Sequence, residues 1–151
     1  MNNFVYQIPT DVFFGKGQIS NLGKAVKQYS SKVLLVYGGG SIKRSGLYDE
    51  VQGVCKEYGI TAVELAGVEP NPRIETVRAG VELCKKHNLD GILAVGGGSV
   101  IDCAKIISAG AKYDGDAWDL VLNGGLVKET LPLFTVVTIA ATGSEMDRFA
   151  V

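Results

Sequence analysis

Apolar runs of strand length alternate with stretches of helical spacing along most of this chain. The runs predicted to be strands are KVLLVY, TAVEL, GILAV and LFTVVTIA. In the stretches between them, apolar residues recur every three or four positions, which is the spacing of a helix with one buried face. These predicted helices are GLYDEVQGVCKEYG, PNPRIETVRAGVELCKKHN and SVIDCAKIISAGAK. The alternation predicts an α/β fold, a Rossmann-like parallel sheet with helices on both faces.

Three other parts of the pattern are less regular. Near the N-terminus, FVYQIP and VFFG are short alternating runs divided at Pro9, so we predict N-terminal edge strands there. Asn71 is predicted to cap the second long helix, with Pro72 at its first position. The stretch DGDAWDLVLNGGLVKETLP is predicted to be rich in loops.

Length and composition describe one ordinary soluble domain spanning residues 1–151. Hydrophobic residues make up 46% of the chain and charged residues 21%. A net charge of −1 favours neither nucleic acid nor an anionic membrane as a partner. The N-terminus lacks the features of a signal peptide, and we expect a cytoplasmic protein. The cysteines, Cys55, Cys84 and Cys103, form no CxxC pair and are interpreted as small buried hydrophobic residues.

The stretch GGGSVIDCAK follows a predicted strand and begins a predicted helix. Glycines let the main chain approach a ligand closely, and amides at a helix N-terminus attract an anion. Gly97, Gly98 and Ser99 therefore suit a pyrophosphate. A purely structural alternative is a tight turn in which Ser99 is the N-cap and Asp102 completes a capping box. All the glycine-rich or Thr/Ser-rich loops follow strands, so we expect them to meet at the carboxyl edge of the sheet.

Three motifs then point to a family. PTDVFFGKGQISNLG, GGGSVIDCAK and TIAATGSEM occur in this order, and together they resemble the N-terminal half of the iron-containing (group III) alcohol dehydrogenases, in particular the butanol dehydrogenase branch. The resemblance implies an NAD(P)-dependent, metal-dependent oxidoreductase that interconverts primary alcohols and aldehydes. It also implies a second, all-helical domain. That domain contributes to an iron or zinc site built from one aspartate and three histidines, all beyond Val151.

The resemblance also assigns site residues. The loop Gly97, Gly98 and Ser99 holds the pyrophosphate of the dinucleotide, and Asp102 lies towards its nicotinamide end. Thr138 and Thr142 line the adenosine and phosphate side. Members of the family commonly form dimers through N-terminal strands, so we expect a homodimer. Asp147 stands where the family most often has asparagine.

An earlier glycine loop, YGGGSIKRSG, is interpreted as the selector between cofactors. In the family this loop faces the adenosine ribose, and NAD-preferring members often carry an aspartate at the position of Gly39. No acid occurs here, whereas Gly38, Ser41 and Lys43 offer backbone, hydroxyl and positive charge to a 2′-phosphate. We therefore predict NADP as the cofactor, with NAD as the alternative. A flexible turn with solvated cations remains open as a structural alternative.

Because the family's metal ligands lie beyond Val151, we expect the chain to be part of a longer enzyme and to be inactive alone. A free-standing nucleotide-binding or oligomerisation module is a second hypothesis. A third is a related enzyme of the dehydroquinate synthase or glycerol dehydrogenase type, although TIAATGSEM argues against it.

Overall fold

The structure is a computed structural model and describes residues 9–151. Within that range, four strands form one parallel sheet in the order β2-β1-β3-β4. The strands are β1 (Lys32–Tyr37), β2 (Thr61–Leu65), β3 (Gly91–Gly96) and β4 (Leu133–Val137). The central strands β1 and β3 are almost entirely buried. Strands buried on both faces read as continuous apolar runs, which explains why KVLLVY and GILAV identified them.

Helices cover both faces of this sheet, as predicted. Leu34 and Val36 of β1 pack on one side against helices Ile74–His87 and Gly98–Gly110. Val33 and Leu35 pack on the other side against helices Leu22–Lys27, Ser41–Arg44 and Leu47–Glu57. This division follows from the alternation of side chains along a strand. The helices are α1 (Leu22–Lys27), α2 (Ser41–Arg44), α3 (Leu47–Glu57), α4 (Ile74–His87), α5 (Gly98–Gly110) and α6 (Ala117–Leu122), with short 3₁₀ helices at Gln18–Asn21, Gly124–Leu126 and Ser144–Met146.

The strand order creates a topological switch point between β1 and β3 at the carboxyl edge of the sheet. The chain passes from β1 to β2 on one side and continues with β3 on the other side of β1. Tyr37, the last residue of β1, pairs with Val95 near the end of β3. The loops that follow β1 and β3 therefore diverge from neighbouring strands. In open α/β sheets, ligands bind at such a topological switch point.

The predicted N-terminal edge strands are not confirmed. Most of the first run, FVYQIP, lies outside the described residues. The second run, VFFG, forms neither helix nor strand, and the side chains of Val12, Phe13 and Phe14 are exposed. An alternating pattern predicts a strand only where a neighbouring strand can pair with it, and within residues 9–151 this segment belongs to no sheet.

The predicted start of the second long helix was wrong, and the structural alternative given for the second glycine loop is not observed. Asn71 has a positive φ of 57°, and α4 begins only at Ile74, with Arg73 as its N-cap. Asparagine is one of the few residues that adopt the left-handed conformation readily, so Asn71 turns the chain before the helix. The N-cap of α5 is Gly97 rather than Ser99, and no side chain caps it. The capping box of Ser99 and Asp102 is therefore absent.

The region predicted to be rich in loops contains α6. Asp116 is its N-cap, and the Asp116 carboxylate accepts a hydrogen bond from the Trp118 amide at 2.8 Å. An aspartate before an apolar stretch is a helix-start signal that was present in the sequence. Within residues 9–151, no helix has both the length and the apolar character needed to cross a membrane. Cys55, Cys84 and Cys103 are buried free thiols, as predicted.

Candidate nucleotide-binding site

The glycine loop after β3 presents the N-terminus of α5 at the carboxyl edge of the sheet. Gly97 precedes this 13-residue helix, and its carbonyl accepts the amides of Val100 and Ile101. The first amides of a helix have no partner within the helix, and the helix dipole adds partial positive charge there. The backbone amides of Gly98 and Ser99 are thus the groups of this loop that suit an anion.

The loop after β4 lies against this helix start. The Thr138 amide donates to the Gly96 carbonyl at 3.0 Å. A Cβ added to Gly97 would lie 2.8 Å from Cγ2 of Ile139, and one added to Gly98 would lie 2.8 Å from Oγ1 of Thr142. A side chain at either glycine would therefore require Ile139 or Thr142 to move. Thr138 and Thr142, both exposed, are therefore brought next to the second glycine loop, as the sequence predicted.

Asp102 lies one turn into α5 and belongs to a polar network. It accepts a hydrogen bond from the Ser144 hydroxyl at 2.6 Å. The Lys105 ammonium donates to the same hydroxyl and to Asp147, both at 2.9 Å, and also to the carbonyl of Phe149. This lysine is 3.9 Å from Asp102 itself. The network ties the β4 loop to α5 and fixes the orientation of the Asp102 carboxylate.

The Asp147 side chain points towards Lys105. Its carboxylate faces Lys105, and the hydrogen bond from Lys105 lowers the pKa of the Asp147 carboxyl, with a smaller contribution from the Phe149 amide. The anion at this position is therefore paired with a cation of the same domain. Sequence reasoning missed Ser144, although a hydroxyl directly before an acidic residue in TGSEM was visible.

The first glycine loop adjoins the second. Gly38 accepts a hydrogen bond from the Gly67 amide at 3.2 Å, and a Cβ on Gly38 would lie 3.8 Å from Cγ2 of Val100 on α5. Gly40 has a φ of 99°, which favours glycine, and the chain then enters α2 at Ser41. A Cβ on Gly39 would meet nothing within 4 Å. The loop is thus in contact with the first turn of α5 but leaves open space at Gly39.

Lys43 lies on α2, beyond this loop, and its ammonium nitrogen is 4.5 Å from the ring centroid of Tyr48 and 5.3 Å from that of Tyr37. The hydroxyls of both tyrosines donate hydrogen bonds to the Glu64 carboxylate on β2. The distance from the Tyr37 hydroxyl to Glu64 is 2.6 Å. Both hydrogen bonds lower the pKa of the Glu64 carboxyl, and the one from Tyr37 contributes most. Sequence reasoning missed Glu64 and Tyr48. Lys43 and Arg44 are both exposed, and the Lys43 ammonium also has two ring neighbours.

All the predicted cofactor residues lie on the loops at this edge of the sheet or on the helices that follow them. Gly97, Gly98, Thr138 and Thr142 lie at one place, and Gly38 adjoins them through Val100. Within residues 9–151, no group of three His, Cys, Asp or Glu side chains is arranged to hold a metal ion.

Comparisons with known proteins agree with this fold. The family model for iron-containing alcohol dehydrogenase matches residues 9–151. The chain therefore belongs to the iron-containing alcohol dehydrogenase family. It is 55% identical over 151 residues to NADH-dependent butanol dehydrogenase A of Clostridium acetobutylicum, covering all of this chain and 39% of that protein.

Two further matches bear on fold and cofactor. The chain is 42% identical to an NADPH-dependent aldehyde reductase of Escherichia coli, over all of this chain and 39% of that protein. The crystal structure of NADH-dependent butanol dehydrogenase A from Thermotoga maritima matches with a TM-score of 0.89 and 47% identity, covering 95% of this chain and 36% of that chain. The chain thus spans about two fifths of the length of these curated relatives.

Proposed function

We propose that this chain is the dinucleotide-binding domain of an oxidoreductase that interconverts primary alcohols and aldehydes. The observation that carries the proposal is the meeting of the loops after β1, β3 and β4 at the carboxyl edge of the sheet. Gly98, after β3, lies against Thr142, after β4. In doubly wound folds, dinucleotides bind at this edge of the sheet. Membership of the iron-containing alcohol dehydrogenase family supports the reaction class.

Each group at the edge has a distinct role in this proposal. The free amides of Gly98 and Ser99 bind the pyrophosphate, because they combine donors with the positive end of α5. Thr138 and Thr142 line the same side of the cofactor. Asp102, held by Ser144, faces the nicotinamide end and orients it. A nicotinamide dinucleotide held by these residues would supply the hydride chemistry that interconverts an alcohol and an aldehyde.

The choice between NADPH and NADH is a separate proposal. One named relative uses NADH and another uses NADPH, so the names alone do not choose. The first loop supports NADPH, because Lys43 and Arg44 are exposed cations and the space at Gly39 holds no carboxylate. A 2′-phosphate gains from a cation and loses from an acid. We therefore propose NADPH in preference to NADH.

Binding and turnover test the proposal separately. NADPH and NADH are titrated against the protein by nicotinamide fluorescence, and each dissociation constant is measured. Butan-1-ol oxidation and butanal reduction are then followed by the absorbance of the reduced nicotinamide with Fe²⁺ or Zn²⁺ added, and the 151-residue chain alone should show neither. Failure to bind either dinucleotide would contradict the proposal. Tighter binding of NADH would contradict only the preference for NADPH.

A free-standing nucleotide-binding module remains the second candidate. Residues 9–151 bring no three His, Cys, Asp or Glu side chains together in a group that could hold a metal ion. We expect the 151-residue chain to bind dinucleotide without oxidising butanol. Butanol oxidation by this chain alone would contradict that expectation. Homodimer formation through the N-terminal segment and a cytoplasmic location also stay predictions, the first testable by the mass of the protein in solution.

A further inference from the structure

Lys43 is an exposed residue whose ammonium group lies close to two aromatic rings. Its nitrogen is 4.5 Å from the centroid of Tyr48 and 5.3 Å from that of Tyr37. The two rings meet edge to face, 5.8 Å apart and inclined by 62°. A cation within about 6 Å of a ring face is attracted to it. This pair of rings therefore restricts where the Lys43 ammonium can lie.

Glu64 fixes those two rings. One of its carboxylate oxygens accepts the Tyr37 hydroxyl at 2.6 Å, and the other accepts the Tyr48 hydroxyl. Gln52 adds a hydrogen bond to the Tyr48 hydroxyl at 3.2 Å. The residues come from β1, β2 and α3, so three separate elements hold the rings. Both oxygens of Glu64 are used in this way, and its role is to orient its neighbours.

The position of this cluster matters because Lys43 follows the first glycine loop directly. Gly40 leads into α2, which carries Lys43, and open space lies at Gly39. A lysine that is already ordered loses less side-chain entropy when it binds an anion than a free one does. An ordered ammonium on the helix that follows this loop would therefore bind a phosphate on the adenosine ribose at a lower entropic cost.

We propose that Glu64 is a positioning residue for cofactor discrimination, which holds Tyr37 and Tyr48 so that Lys43 is placed to receive the 2′-phosphate of NADPH. This inference rests on the proposed function and deepens it. The expected effect of removing Glu64 on NADPH binding is opposite in sign to the one that charge repulsion alone would give. Glu64 is itself negative, so by simple repulsion its removal would strengthen the binding of a phosphate. If Glu64 acts by positioning Lys43, its removal weakens that binding.

A double-mutant cycle separates these two effects. Dissociation constants for NADPH and NADH are measured for the wild type, Lys43→Met, Glu64→Gln and the double variant. Lys43→Met should lower the preference for NADPH over NADH by about tenfold, the loss of one charge-assisted contact. Glu64→Gln should lower the same preference by about threefold, and should have no further effect when Met already occupies position 43.

Two further variants complete the experiment. Tyr48→Phe keeps the ring and removes the hydroxyl that donates to Glu64, so it should reproduce the effect of Glu64→Gln even if that variant folds poorly. Glu57→Gln removes an exposed carboxylate from the far end of α3 and should leave the preference unchanged. NADH affinity should change little in every variant.

The outcomes are distinguishable. If the wild type binds neither dinucleotide, the proposed function fails and this inference fails with it. If the wild type binds both but Glu64→Gln and Tyr48→Phe leave the preference unchanged, only the inference fails. It also fails if Glu64→Gln raises the preference for NADPH, or if its effect persists in the Lys43→Met background, because Glu64 would then act by its own charge.

Discussion

The ammonium nitrogen of Lys105, on α5, lies 2.9 Å from a carboxylate oxygen of Asp147, on the loop that follows β4. The same nitrogen reaches Ser144, whose hydroxyl in turn donates to Asp102. The lysine side chain is only 13% exposed. One cation thus joins the helix that presents the pyrophosphate loop to the loop that carries Thr142. Both halves of the proposed cofactor site depend on it.

Asp147→Asn should weaken this tether in a pH-dependent way. Lys105 lowers the pKa of the Asp147 carboxyl in the folded state, so the stabilisation is present above the unfolded pKa of about 3.9. It is lost as the pH falls through the lower, folded-state pKa. The wild type should therefore unfold at a higher temperature than Asp147→Asn at pH 7, with the difference shrinking below about pH 4.

Thermal unfolding followed by circular dichroism from pH 3 to pH 8 measures that difference. Glu145→Gln, a neighbouring change on the same loop, is the matched control, because Glu145 is not among the contacts of Lys105. A difference between wild type and Asp147→Asn that is as large at pH 3 as at pH 7 would rule out the proposed linkage.

Gly98→Ala should impair cofactor binding more than stability. The added Cβ would lie 2.8 Å from the Thr142 hydroxyl, so Thr142 must move away from the N-terminus of α5. We expect the dissociation constant of the dinucleotide to rise by about tenfold, the loss expected for one displaced hydrogen-bonding group. Fluorescence titration with NADPH and NADH measures it.

Gly53→Ala is the matched control for that substitution. Gly53 lies within α3, and a Cβ there would meet nothing within 4 Å. Alanine should stabilise the helix by about 0.5–1 kcal/mol and leave cofactor affinity unchanged. Equal loss of affinity in both variants would mean that the effect of Gly98→Ala does not come from the contact with Thr142.

Asp90→Ala should lower the free energy of unfolding. The Asp90 carboxylate accepts the amides of Ser31 and Lys32 at 2.9 and 2.7 Å, and the Ser31 hydroxyl at 3.0 Å, so it joins the starts of β1 and β3. Its removal leaves these donors without their carboxylate, at a cost of about 1–3 kcal/mol. Urea denaturation tests this, with the exposed Asp114→Ala as control. Equal midpoints for the two variants would contradict it.

The sequence predicted the centre of the fold well, because burial on both faces leaves a local trace. β1 and β3 appear as uninterrupted apolar runs, and α3 appears at helical spacing. The wrong predictions concern segments whose local sequence pattern is compatible with two different structures. Asn71 was suited equally to a cap and to a left-handed turn, and VFFG had the alternation of a strand without a partner in the described sheet.

Some residues of the candidate site were predicted from the sequence and others were not. Glycine loops are contiguous in sequence, so Gly38 and Gly97 to Ser99 could be found by reading. The residues that hold their neighbours could not, because each contact joins distant positions. Glu64 is 27 residues from Tyr37, and Ser144 is 42 residues from Asp102. Only the fold brings such pairs together, and the side chain alone gives no signal of its partner.

Gly39→Asp should shift preference from NADPH towards NADH. A Cβ at Gly39 meets nothing within 4 Å, so the backbone accommodates the new side chain without displacing a neighbour. Its carboxylate would repel a 2′-phosphate and accept hydrogen bonds from the ribose hydroxyls of NADH. We expect the ratio of the NADPH to the NADH dissociation constant to rise by about tenfold or more. Gly39→Asn, equal in size and neutral, separates charge from volume. If asparagine shifts the ratio as far as aspartate does, the first loop selects by space, and the absence of an acid there does not explain cofactor choice.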